Sequence, residues 1–327
     1  MLASYLDTAM GFLEPLLTDD LVEIAINPDG RIWQERRGDS FMAPADVDAT
    51  PSQIEALAQQ IANEAEIRVS EAKPVFSVSI HYGVWLIRAQ ILQSPAVSQG
   101  VAIALRFYNP DVEIYEPRFL HGRPMSASAL RRERNQEMRD LATNGQLVEA
   151  LRFCVTHKLN VIVSGGTSSG KTMVARYLQK MIGDEERIIT IEDAPDLLPS
   201  QPNKVMMVSL TDDPYRSPDR LLQASLRMRP DRIILSEVRG KEAYTFLKAI
   251  NTGHGGSITT LHADTAELAI SRLAQAALEG SPGMTFREMT DYIGQSIDVI
   301  VHQEKQGGER GVTEIYLPGI DWKGTDE

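Results

Sequence analysis

The segment Gly165-Gly166-Thr167-Ser168-Ser169-Gly170-Lys171-Thr172 fits the pattern G-x-x-x-x-G-K-[ST]. It follows the apolar run 159–163 and opens a stretch of helical character, 173–181. No other feature restricts the fold as much, because the motif works only as a turn between a strand and the N-terminus of a helix. Its glycines let successive backbone N–H groups curl around phosphate oxygens, and the helix terminus favours negative charge. Lys171 is placed to reach the outer phosphates and the Thr172 hydroxyl to ligate Mg²⁺. A chain with this segment in this setting binds a nucleoside triphosphate.

The periodicity on either side differs. After Gln146, short apolar runs alternate with helical patterns, which predicts an α/β domain over 146–327 with a mostly parallel sheet covered on both faces. The nucleotide then lies at the carboxyl ends of the strands. Residues 1–109 read instead as a smaller α+β N-terminal domain: a hairpin around Asn27-Pro28-Asp29-Gly30, a helix capped at Thr50 or Ser52, and further strands over 75–82, 84–92 and 101–107. Before the hairpin, Leu2, Leu6, Met10, Leu13 and Leu17 form a helical stripe expected to pack on its own domain. Between the halves, 110–145 carries Pro110, Pro117 and Pro124 and mixes Arg131, Arg132, Arg134 and Arg139 with Glu133 and Glu137. It reads as an interdomain linker containing a helix with a solvated, charged face.

Two apolar strands downstream of the loop end in carboxylates. Ile233-Ile234-Leu235-Ser236-Glu237 places Glu237 where it can hold Mg²⁺ through water and accept a proton from an attacking water, and Ile189-Thr190-Ile191-Glu192-Asp193 repeats the arrangement. Asp196 is expected to cap the turn that follows. His254 lies in a glycine-rich loop, and His262 falls at a strand end, in reach of a γ-phosphate or a neighbouring subunit.

Composition removes other classes. A net charge of −12 opposes broad attraction to nucleic acid or to an anionic membrane, so direct nucleic-acid binding is not expected. Cys154 is the single cysteine, which excludes an intrachain disulfide and a zinc site built on cysteine pairs. No run approaches the roughly 20 apolar residues of a spanning helix, and the N-terminus lacks a secretory pattern, so the expected location is the cytoplasm.

The phosphate loop, the Glu192-Asp193 box, the run Leu226-Arg227-Met228-Arg229-Pro230-Asp231-Arg232 ahead of Glu237, and the boxes at Gly253-His254 and Leu261-His262-Ala263 stand in one order. As a set they resemble the secretion ATPase superfamily, most closely the type IV secretion traffic ATPases, including those of conjugative transfer. The front half resembles that family's N-terminal domain more loosely, through Glu23-Ile24-Ala25-Ile26-Asn27 and the strands of Arg88 and Arg106. The resemblance implies a RecA-like P-loop ATPase domain, ATP and Mg²⁺ as ligands, and Lys171, Glu192, Glu237 and His262 as catalytic residues. It implies phosphate contacts from Arg88 and Arg106, and charge stabilisation or subunit coupling by Arg227 and Arg229. It further implies a homo-hexamer on the cytoplasmic face of the bacterial inner membrane, working with secretion-channel and coupling proteins in pilus biogenesis or substrate translocation. A pilus or type II secretion motor and a nucleotide-gated docking platform are the alternatives. The single cysteine speaks against the type II branch, whose members carry a cysteine-rich zinc insertion.

Overall fold

The computed structural model describes residues 4–110, 116–120 and 122–322, so Leu2 and part of the linker lie outside it. The front of the chain forms α1 (Tyr5–Met10), a 3-10 helix (Gly11–Leu16), β1 (Leu21–Ile26), β2 (Arg31–Arg36), β3 (Ala43–Asp48), α2 (Pro51–Glu64), β4 (Val75–Tyr82), β5 (Trp85–Gln93) and β6 (Val101–Tyr108). Next come α3 (Ala127–Thr143), α4 (Leu147–Thr156), β7 (Val161–Gly165), α5 (Lys171–Lys180), β8 (Ile188–Glu192), β9 (Lys204–Val208), α6 (Pro218–Ser225) and β10 (Arg232–Leu235). The remainder is α7 (Glu242–Asn251), β11 (Ile258–His262), α8 (Ala266–Gly280), α9 (Phe286–Ser296), β12 (Val299–Gln306), β13 (Glu309–Tyr316) and α10 (Pro318–Asp321).

The chain divides into two compact units, Met1–Val112 with Gly183–Ile234, and Glu113–Ile182 with Leu235–Glu327. In the first, an antiparallel sheet runs in the order β3-β2-β1-β6-β5-β4. One face buries Ile24, Ile26, Ile87 and Ile103 against Leu57 and Ile61 of α2 and against Leu6, Met10 and Leu13. The stripe therefore packs on its own unit, as its spacing implies. It is broken in two, because Pro15 cannot supply an amide to a continuing helix and the chain tightens into the 3-10 turn after Met10. Thr50 caps α2 in a reciprocal box with Gln53.

Residues 183–234 group with this sheet, joined by backbone contacts of Ala96 and Ser98 with Val208 and Met206 and by a fully buried arginine. Arg187 donates from Nη1 to Asn27 Oδ1 at 2.7 Å and to Asn203 Oδ1, and from Nε to the Met228 carbonyl at 2.9 Å. Asp231 accepts its backbone N–H at 2.7 Å. Burial pulls its pKa down to about 10, opposed by the nearby Glu23 and Asp231 charges, and burial pushes Glu23 up to about 7, opposed first by Arg106. In this unit β8 and β9 pair in parallel, and α6 packs on β8.

The second unit carries the strand order β13-β12-β7-β11, with β12, β7 and β11 parallel and β13 antiparallel at the edge. The basic helix of the linker, α3, is solvated on one side only: Arg132, Glu133 and Glu137 are exposed, whereas Arg131, Arg134 and Arg139 are half-buried. Arg131 and Arg134 meet the Asp298 carboxylate at 3.0 and 2.9 Å, and Arg139 pairs with Asp321. Asp298 also accepts the backbone N–H of Asn160 at 2.9 Å, and its side chain is only 5% exposed. Replacing Asp298 by Ala is expected to cost about 2–4 kcal/mol, since two arginines and a backbone donor lose their shared acceptor at once. Urea unfolding of the variant checks this; a loss below roughly 0.5 kcal/mol would mean the cluster is ordinary surface pairing. Among the described residues no helix is long and apolar enough to cross a membrane.

Candidate functional site

The phosphate loop leaves the carboxyl end of β7 and enters α5, as the motif demands. Gly165 takes φ +154° in close packing: a Cβ there would stand 2.1 Å from the Gln303 carbonyl oxygen and 2.6 Å from Ser169 Oγ. Gly170, at φ +102°, turns the chain into α5, and Ser168 also adopts positive φ. Thr172 is exposed at the first turn of that helix.

The Lys171 ammonium lies across the loop, donating to the carbonyls of Gly165 at 3.1 Å and Gly166 at 3.0 Å, and reaching His262 Nδ1 at 3.2 Å. Burial lowers its pKa, and the Glu237 charge opposes that shift. His262 stands beside Gly165 because β11 pairs with β7 in that register. Its Nε2 lies 3.1 Å from Glu237 Oε1. An ammonium can only donate, so His262 Nδ1 accepts and the neutral Nε2–H form of the ring donates to Glu237. Lys171, His262 and Glu237 thus form one hydrogen-bonded chain from the loop to the strand-end carboxylate.

Glu237 is anchored where β10 ends: Val238 N–H donates to the Thr260 carbonyl at 3.0 Å, and the Thr260 hydroxyl donates to the Ser236 carbonyl at 2.6 Å. Arg239 forks onto Glu237 Oε2, Nε at 2.9 Å and Nη2 at 2.6 Å, while its own side chain stays 63% exposed. Arg239 stands in none of the sequence motifs, although two residues beyond Glu237 on an extended chain is the same side of the backbone. A cavity of about 550 Å³ opens beside this pair, lined also by Leu261, Arg272 and Glu279.

Two features suit an anion at the loop. Ser169 Oγ is buried without a hydrogen-bond partner, and Lys171 rests on carbonyls in a partly desolvated position, where an arriving phosphate would restore its preference for charge.

The other predicted site residues belong to the first unit. Glu192 is 2% exposed and its Oε2 accepts the N–H groups of Asp196 at 2.9 Å and Leu197 at 2.8 Å. Glu192 itself, rather than Asp196, gathers the amides of that turn, and burial raises its pKa. Arg88 and Arg106 are exposed and stand opposite each other on β5 and β6. Arg229, at φ +54°, is engaged by Glu35 at 2.5 Å and by Asp231, whereas Arg227 is exposed. His254, in the second unit, sets its Nδ1 3.3 Å from the Ala249 carbonyl, and burial lowers its pKa.

The family model described as Type II/IV secretion system protein matches residues 119–305. Type IV secretion system protein VirB11 of Brucella suis biovar 1 (strain 1330) is 33% identical over 323 residues, covering 93% of this chain and 88% of its own. Conjugal transfer protein TrbB of Rhizobium radiobacter is 32% identical over 302 residues, with 90% and 83% covered. The chain is a type IV secretion traffic ATPase. The crystal structure of the VirB11 ATPase from the Brucella suis type IV secretion system, in complex with sulphate, superposes with a TM-score of 0.82 at 29% identity, covering 96% of this chain and 98% of that one. This traffic ATPase accordingly has the expected RecA-like α/β fold preceded by an α+β N-terminal domain, and it is a nucleotide-using enzyme.

Proposed function

We propose that the chain hydrolyses ATP with Mg²⁺ and that this turnover powers type IV secretion, in pilus biogenesis or substrate translocation. The observation that carries the reading is the chain of contacts from Lys171 through His262 Nδ1 and Nε2 to Glu237 Oε1, at 3.2 and 3.1 Å, at the mouth of the phosphate loop.

Backbone N–H groups of 165–172 bind the β-phosphate and its neighbours, and Lys171 moves from the loop carbonyls onto the β- and γ-phosphate oxygens. Magnesium bound with the nucleotide would neutralise phosphate charge, held by the Thr172 hydroxyl and, through water, by Glu192 and Glu237. Glu237 orients the attacking water and takes its proton. His262, released by Lys171 when the ammonium turns to phosphate, registers whether a γ-phosphate is present. Arg88 and Arg106 supply further phosphate contacts: two like charges facing each other across a strand pair are destabilising unless an anion lies near. Arg227, exposed on its turn, suits a coupling or charge-stabilising role better than Arg229, which Glu35 and Asp231 occupy. The assembly we infer is a homo-hexamer on the cytoplasmic face of the inner membrane, docked on channel and coupling proteins.

Lys171→Ala tests the reading. Its kcat/KM for ATP is expected to fall at least about 10²–10³-fold, the loss typical of removing one preorganised stabilising group. Phosphate-release assays, with circular dichroism to confirm the fold, measure it. Turnover within threefold of the parent protein would sink the proposal.

A further inference from the structure

The phosphate loop is gripped from outside its own motif. Gln303 on β12 donates from Nε2 to the Ser169 carbonyl at 3.0 Å, and Arg310 on β13 donates from Nε to the Ser168 carbonyl at 2.8 Å. Both residues sit on the β12–β13 hairpin, more than 130 positions downstream of the loop they touch. β12 keeps an unbroken parallel register with β7 through Gln303 opposite Gly165, while β13 carries Thr313 as an extra residue between Val312, opposite Gln303, and Glu314, opposite His302. His302 and Gln303 are neighbours in sequence, yet His302 Nδ1 meets Ser164 Oγ at 2.8 Å while Gln303 reaches Ser169.

Gln303 is 5% exposed and its amide oxygen is buried without a partner, so the donor half of the side chain sets its orientation. The same residue's carbonyl oxygen is what a Cβ at Gly165 would strike, and the Arg310 stem lies 3.4 Å from where a Cβ at Gly170 would stand. Gly165 and Gly170, unlike Gly166, thus have the hairpin against their bare side.

We propose that Gln303 and Arg310 are positioning residues for nucleotide binding, holding the Ser168 and Ser169 carbonyls outward so that the amides of the loop face the phosphates. The inference rests on the phosphate-loop reading above. Peptide units are planar and trans, so fixing the Ser168 and Ser169 carbonyls fixes the N–H groups of Ser169 and Gly170 in the opposite direction. Preorganising those donors removes an ordering cost that nucleotide binding would otherwise meet.

Calorimetric titration of the full chain with MgADP tests this across four variants. Arg310→Ala is expected to raise Kd about fivefold, the size of one ordinary hydrogen bond, with a larger effect on Kd than on kcat. Arg310→Gln keeps an N–H donor the same number of bonds from the backbone while losing the charge, and is expected to restore most of the affinity. Gln303→Glu removes the donor to Ser169 and adds negative charge beside the loop, with at least about a tenfold loss expected. Lys171→Ala reports on the loop itself. If it binds MgADP like the parent, the phosphate-loop reading fails; if it loses affinity while Arg310→Ala and Gln303→Glu bind normally, only the hairpin inference falls. Equal losses in Arg310→Ala and Arg310→Gln would also overturn it, since charge rather than the carbonyl contact would then be responsible.

Discussion

Glu237→Gln is expected to lower kcat for ATP by about 10²–10⁴-fold, the range associated with losing a positioned general base. Gln keeps an oxygen able to accept from His262 Nε2, 3.1 Å away in the parent, so the chain of contacts to Lys171 survives. It lacks basicity and cannot take a proton from water. The amide also places N–H groups toward the Arg239 fork, where both partners would be donors, so the side chain should settle with its oxygen shared between His262 and Arg239. Nucleotide affinity should stay within a few-fold of the parent, because Lys171 and the loop amides are untouched. Quenched-flow single-turnover measurements separate the two effects; a variant hydrolysing within threefold of the parent rate would remove Glu237 from the mechanism. The same variant distinguishes a motor from a nucleotide-gated platform: secretion that persists with hydrolysis abolished would favour the platform.

Arg187→Leu carries the largest expected effect on stability, about 3–5 kcal/mol, as for other buried charges stripped of one partner. The guanidinium is fully buried and serves Asn27, Asn203 and the Met228 carbonyl together. Leucine fills part of the volume but leaves those acceptors unmet, and Glu23 loses a nearby positive charge in a site where burial already raises its pKa to about 7. Denaturant unfolding followed by Trp33 fluorescence would report on this unit. A midpoint equal to the parent's would show that Arg187 is dispensable there.

Much of the chemistry was readable from residue order because phosphate binding is local. A strand, a glycine turn, a lysine and a helix start are contiguous, and a carboxylate or histidine at a strand end falls near the loop once the strands are parallel. In the fold His262 lies 3.2 Å from the Lys171 ammonium and 3.1 Å from Glu237. What escaped was contact across long separations. Nothing around Arg187 distinguishes it from a surface arginine until Asn27, 160 positions earlier, is laid against it. The charges of α3 alternate like those of a solvated helix, and only the fold brings Asp298 to them, 164 and 167 positions away. β3 was invisible for a different reason: Ala43-Pro44-Ala45-Asp46-Val47-Asp48 is a largely exposed edge strand with little apolar alternation to reveal it. Gln303 and Arg310 escape likewise, because the loop carbonyls they meet lie 134 and 142 positions earlier.

The Asp298 carboxylate links α3 to the amide that precedes β7. That strand is five residues long, about 16 Å, and its far tip is Gly165. The ion pairs of the linker helix therefore hold the root of a short, hydrogen-bonded strand whose other end opens the phosphate loop, so helix and loop are fastened to one rod.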